Sequence, residues 1–267
     1  MLDPKGSALS SAPMQPAETH FQRLFRLAKG AALPPPGAGR IALAYTYGIF
    51  CHVIFGLAVI AMITAMFFGM SESLGAVPWP WAALANILLL LQFPLAHSAL
   101  LSDRGRKVLA RLAPSPHGQT LGTTTYAIIA SIQLLALFAL WTPSGIVWWR
   151  ADGVPFAILC AAYGASWLLL MKASFDAGAE VQSGALGWMS LAQNIRPKFP
   201  DMPTTGLYRN IRQPIYVAFA LTLRTVPVWT PDQLALAIVL TAYCLAAPKL
   251  KERRFKKRYG ERFTRYQ

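Results

Sequence analysis

GLYRNIRQPIYVAFALTLRTVPVWTPDQLALAIVLTAYCLAAPKLKERRFKKRYG, residues 206–260, is the stretch from which the fold is read. Arg212, Pro214 and Tyr216 precede one apolar run, Pro227 and Pro231 break it, and a second run ends in Lys251-Glu252-Arg253-Arg254-Phe255. If both runs cross a bilayer, the even pair of crossings returns Arg212 and Glu252 to the same membrane face. About 20 residues of helix cover the ~30 Å of hydrocarbon, and the rest of the chain holds further runs of that kind. Hydrophobic residues make up 55% of the 267 and charged residues 13%, with a mean hydropathy of +0.40. An ordinary soluble domain carries about a quarter charged residues. The apolar runs do not alternate with polar residues as barrel strands do, and only helices or closed barrels satisfy the backbone in lipid. The composition therefore predicts an all-α polytopic bundle.

Six spans are expected, at 41–70, 78–101, 119–142, 153–174, 213–229 and 231–248. Basic residues alternate by connection. Lys5, Arg23, Arg26, Lys29 and Arg40 precede the first span and Arg104, Arg106, Lys107 and Arg111 follow the second, whereas the intervening connections hold little beyond Glu72, Arg150 with Asp152, and Asp232. By the positive-inside rule both termini are expected in the cytoplasm, of a bacterial inner membrane. Residues 1–40 read as a cytoplasmic tail with an amphipathic piece at 21–27, residues 41–174 as a membrane scaffold, and residues 175–267 as a cytoplasmic connection, helical hairpin and basic tail forming a site. The connection at 175–212 is too long for a turn, and its Pro197, Pro200, Pro203, Trp188 and Phe199 suit a lid or re-entrant piece.

From Lys249 to Gln267 there are nine basic and two acidic residues, half of the formal net charge of +14. Such a run directly after an apolar span acts as a topology anchor and a contact for anionic lipids, not as a nucleic-acid site. Cys51, Cys160 and Cys244 lie inside expected spans without C-x-x-C spacing, so neither a disulfide framework nor a metal site is expected. No internal repeat of the transporter kind is visible.

The C-terminal spacing resembles the isoprenylcysteine carboxyl methyltransferase superfamily of membrane enzymes, whose pattern is G-x-Y-x-x-x-R-H-P-x-Y, a hairpin, E-E-R-x-L and F-G-x-x-Y-x-x-Y. Gly206, Tyr208, Arg212, Pro214 and Tyr216 fall on that pattern, as do Glu252 and Arg253. Gln213 stands where the family has histidine, Lys251 where it has the first glutamate, and Tyr259-Gly260 where it has Phe-Gly. Ser174-Phe175-Asp176 with Gly184-Ala185-Leu186, and His97-Ser98 in an early span, are similar to elements of the bacterial methanethiol S-methyltransferase branch. The resemblance implies S-adenosylmethionine as cofactor and a thiol or carboxylate on a small or lipophilic molecule as acceptor. A lipid amine methyltransferase and a non-catalytic assembly or transport factor are the alternatives.

Such a cofactor needs a guanidinium for its carboxylate and aromatic faces for its sulfonium. On the resemblance, Gly206, Tyr208, Arg212, Gln213, Pro214 and Tyr216 would bind cofactor, while Glu252, Arg253 and His97 would act on the acceptor. Each has a plainer reading. Arg212 also suits a positive-inside anchor, the tyrosines an interfacial belt, Glu252 a surface pair with Arg253 or Lys256, and His97 a hydrogen bond between helices. Gln213 can exchange hydrogen bonds but not protons.

Overall fold

The computed structural model describes residues 18–267 and is almost wholly helical. In chain order its elements are α1 (His20–Ala32), α2 (Ala38–Phe67), α3 (Trp81–Leu100), α4 (Asp103–Leu112), α5 (Gly118–Ala139), β1 (Trp149–Arg150), α6 (Gly153–Asp176), α7 (Ala179–Gln182) and α8 (Ala185–Ala192). A 3-10 turn at Gly206–Arg209 leads into α9 (Pro214–Thr222), β2 (Val228–Trp229), α10 (Pro231–Tyr259) and α11 (Glu261–Tyr266). Five of them, α2, α3, α5, α6 and α10, are long and apolar enough to cross a membrane. Their outward faces carry exposed Ile49, Val53, Leu84, Leu88, Ile158 and Leu168, side chains that only lipid tails would cover at no cost. The protein is an integral membrane protein.

The expected span at 213–229 is the exception. Its helix stops at Thr222 after nine residues, a rise of about 14 Å and less than half of the bilayer core. Pro227 is the physical reason, because its ring would clash with the carbonyl of Leu223 and it offers no N–H to a fourth turn. The chain completes the distance as a turn and a short strand. Leu223, Val226 and Val228 are buried, so this irregular backbone lies within protein, where non-helical chain at membrane depth is tolerated. Several of its polar groups are paired. Gln233 Nε2 donates to the Leu223 carbonyl at 2.8 Å, the Ala151 amide donates to Pro227 O at 2.9 Å, and β2 pairs antiparallel with β1.

The helices meet at two ends. At one end lie the 68–80 connection, β1, β2 and the start of α10, where Asp232 ties α10 to the α5–β1 connection by accepting from Trp141 Nε1 at 3.1 Å and from the Ser144 amide and hydroxyl at 2.9 and 2.6 Å. Met66, Met70, Phe138, Leu223, Leu236 and Leu240 form the core beneath it. At the other end sit α1, α4, α7, α8, the 3-10 turn and α11, with most of the basic residues.

The long connection is packed rather than open. α8 is buried against α2 and α5, where the Thr124 hydroxyl donates to Gly184 O at 2.7 Å and accepts from the Trp188 amide at 3.0 Å. Gly48 leaves room for the Trp188 ring, which would lie 2.5 Å from an added Cβ. The amphipathic piece at 21–27 is part of α1, and α1 is docked on α7 and α8 through buried Leu27 and Ala31 and an Arg23–Glu180 ion pair of 2.6 Å. In residues 18–40 the expected tail is thus a fixed part of the bundle, because a carboxylate as buried as Glu180 needs its guanidinium. The remainder of the expected tail, residues 1–17, lies outside the described residues.

Candidate functional site

α9 begins, and the apolar part of α10 ends, at the basic end of the bundle. Pro214 occupies the first helical position of α9, where a missing N–H costs nothing and the fixed φ favours entry. This leaves Gln213 and Arg212 at the helix mouth, facing Glu252 on α10. Arg212 Nε lies 2.8 Å from Glu252 Oε1, and Gln213 Nε2 donates to the same oxygen at 3.1 Å. Gln267 Nε2 reaches the other carboxylate oxygen at 3.4 Å, and Arg212 Nη1 donates to the Gln267 backbone oxygen at 3.4 Å. The Arg212 side chain is 46% exposed, so its pair with Glu252 contributes only about 0–1 kcal/mol to stability and opens cheaply.

Gly206 starts the 3-10 turn at φ +62, and an added Cβ would stand 2.3 Å from Asp176 Oδ2. Asp176, at the end of α6, accepts from the Leu207 amide at 2.8 Å and from Lys172 Nζ at 2.5 and 2.6 Å. Gly206 therefore seats the turn on a buried carboxylate. The turn in turn buries Tyr208, whose backbone oxygen accepts from the Tyr266 hydroxyl at 2.6 Å. The Tyr208 hydroxyl itself is buried without a partner. Burial, with lesser contributions from Tyr266, Tyr216 and Asp176, holds this phenol above its ordinary range, so it remains a donor at physiological pH.

The rings of Tyr208, Tyr216 and Phe255 surround one cation, Lys251, with Nζ 5.4, 5.9 and 5.5 Å from the three centroids. Lys251 makes no ion pair among the described residues. Sequence reasoning noted it only as a departure from the family pattern. Arg254, also passed over, donates to Leu101 O at 3.3 Å and lines a cleft between α3, α9 and α10.

Two candidates stand apart. Arg253 is exposed on the outer face of α10 and joins none of these contacts. His97 lies deeper, with Nε2 2.6 Å from the Tyr126 hydroxyl and its ring against Phe93 and Tyr243, and its Nδ1 is buried without a partner. It touches neither Glu252 nor Arg212. His52 serves as an acceptor for Trp188 Nε1 at 3.0 Å. Arg224 donates within its own helix to Ala220 O at 2.9 Å. Asp176, Lys251, Arg254 and Tyr266, read in the sequence only as motif positions, and Gln267 belong to the site without having been given a role in it; the Phe-Asp match and a lysine replacing an acidic residue were the available signals.

A methyltransferase cofactor would find suitable groups here. Arg212 is a half-exposed guanidinium with donors to spare, three aromatic faces already gather round a cation, and the Tyr208 hydroxyl is an unused buried donor.

No family model and no solved structure matches the chain. Curated relatives do. The methanethiol S-methyltransferase of Pseudomonas sp. (strain GM41(2012)) is 25% identical over 86% of this chain and 88% of its own length, and that of Crocosphaera subtropica 27% identical over 82% and 87%. Nurim of Xenopus laevis is 27% identical over 63% of this chain and 65% of its own length. Over most of its length, therefore, the chain is similar to methanethiol S-methyltransferases, which agrees with the resemblance its C-terminal residues carry to the isoprenylcysteine carboxyl methyltransferase-like membrane proteins.

Proposed function

We propose that the protein is an integral-membrane methyltransferase of the bacterial inner membrane that uses S-adenosylmethionine and methylates a thiol or carboxylate on a small or lipophilic acceptor. The observation that carries this reading is the cluster of Arg212, Gln213 and Glu252 beside the turn that buries the unpartnered Tyr208 hydroxyl. Arg212 would hold the cofactor's carboxylate, Glu252 its ammonium, and Tyr208 would donate a hydrogen bond; when bound, the cofactor supplies an electrophilic methyl group on a cationic sulfur. Tyr216 and Phe255, packed round Lys251, would help exclude water from the cofactor. That exclusion strengthens each charge interaction within it. The basic exposed face of α10, with Lys256 and Lys257, suits anionic lipids.

The test is calorimetry on folded protein in detergent. Micromolar binding of S-adenosylmethionine or its demethylated product is expected, together with label transfer from methyl-labelled cofactor to a small thiol. Absence of heat and of thermal shift at millimolar ligand would sink the enzyme reading. A non-catalytic role is the second reading, favoured by the three donors that already engage Glu252.

A further inference from the structure

Lys251 and Phe255 lie one turn apart on α10 and share a face of the helix, whereas Glu252 is carried about 100° round it, toward Arg212 and Gln213. The 3-10 turn brings the Tyr208 ring to the shared face, and the first turn of α9 brings the Tyr216 ring. Together the rings of Tyr208, Tyr216 and Phe255 close round Lys251 Nζ, with centroids at 5.4, 5.9 and 5.5 Å. Lys251 makes neither an ion pair nor a hydrogen bond among the described residues, so these faces are what its ammonium has. A cation within about 6 Å of a ring centroid is attracted by the ring's negative face. A sulfonium depends on such faces still more, because it is a cation with no N–H to donate. With the cofactor's carboxylate on Arg212 and its ammonium on Glu252, the sulfur would lie a short side chain from Glu252. The neighbouring residue already fills the aromatic seat with a charge of the chain's own.

We propose that Lys251 is a specificity-determining residue that makes the site favour the demethylated product, S-adenosylhomocysteine, over S-adenosylmethionine. The proposal rests on the methyltransferase reading and adds to it a preference between the two forms of the cofactor. These differ by one methyl group and by the positive charge on sulfur. The neutral sulfide leaves Lys251 in its cage. The sulfonium must either displace the ammonium from the rings or lie against a like charge, and both cost affinity. Glu252 does not offset the repulsion, because its oxygens are engaged by Arg212, Gln213 and Gln267. Lys251 stands where the pattern the chain resembles has glutamate, so the sign of the charge beside the rings is reversed. Turnover then depends on removal of the product, which competes with the donor.

The test reads binding alone. S-adenosylmethionine and S-adenosylhomocysteine are titrated calorimetrically, at neutral pH, into the full chain in detergent. The wild-type chain is expected to hold the product about tenfold or more tighter than the donor. Lys251→Met keeps an unbranched stem and sets a sulfur against the rings, so the cage stays packed without its charge. It is expected to bring the two affinities within about threefold of each other by tightening the donor, while Lys251→Arg keeps the preference. A thermal midpoint checks the fold of each variant, and Lys251→Gln carries the same comparison if Lys251→Met does not fold. Equal affinities in the wild-type chain, or a preference unchanged once the charge at 251 is removed, would overturn the proposal and leave the methyltransferase reading standing. Binding of neither ligand would remove that reading, and the proposal with it.

Discussion

At the residue scale, Arg212 and Arg224 look alike in sequence, each an arginine at one end of the same apolar run. The structure separates them by partner: Arg212 faces Glu252 across two elements, and Arg224 returns to its own helix. Lysine preserves charge but not the planar fork that grips a carboxylate through two parallel bonds. Arg212→Lys is expected to lower S-adenosylmethionine affinity about tenfold or more, since a hydrogen bond to a charged group contributes roughly 1.5–3 kcal/mol. Arg224→Lys should leave it unchanged, and equal affinities in calorimetry would take Arg212 out of the site. Gly206 illustrates a different limit of legibility. Its match to the family pattern pointed to cofactor, but what demands a glycine is a positive φ and a carboxylate 2.3 Å from any Cβ. Gly206→Ala is expected to destabilise the protein by about 1–3 kcal/mol, seen as a lower thermal midpoint, and to weaken the cofactor with it because Tyr208 rides on the same turn.

Among the elements, the five long helices were legible because length and apolarity are local properties of the chain. The short α9 was not, because a hydropathy window averages across Pro227 while the helix must satisfy each carbonyl in turn. The carbonyl of Leu223 is taken up by Gln233, a residue on the next helix that sequence gave no reason to single out. Gln233→Leu fills much the same volume but strands that carbonyl, so a loss of roughly 1–3 kcal/mol is expected in thermal unfolding, with cofactor affinity unaffected at a site on the opposite end. The docking of α1 escaped notice for a related reason. Its amphipathic face suits a membrane surface equally well, and the partner that decides the matter, Glu180, lies 157 residues away. Arg23→Ala leaves a wholly buried carboxylate unpaired and is expected to destabilise the chain by about 3 kcal/mol, whereas the double change Arg23→Met with Glu180→Leu should recover most of it. If the single variant unfolds at the wild-type temperature, α1 is not held by this pair.

For the whole molecule, charge asymmetry gave the two ends before any contact was known. Arg104, Arg106 and Lys107 on α4 share an end with Arg253, Lys256 and Lys257 on α10, while Glu72, Asp152 and Asp232 lie at the other. The cytoplasm is expected on the basic side. Reporter fusions after residues 75 and 150 should read as outside and one after 267 as inside; an outside reading at 267 would part Arg212 and Glu252 from cytosolic cofactor and end the functional proposal.

The same polarity governs what light can report. Of the eight tryptophans, all but Trp167 and Trp188 belong to the end marked by Asp232: Trp79, Trp81, Trp141, Trp148, Trp149 and Trp229. The candidate site is at the other end, which holds Trp188, packed edge-on to His52 and tilted against Tyr45. Intrinsic emission is thus dominated by chromophores that a bound ligand never approaches. A fluorescence titration would stay nearly flat even at full occupancy, while the exposed Trp79, Trp81, Trp148 and Trp149, standing at a lipid boundary, would respond strongly to quenchers carried in the membrane.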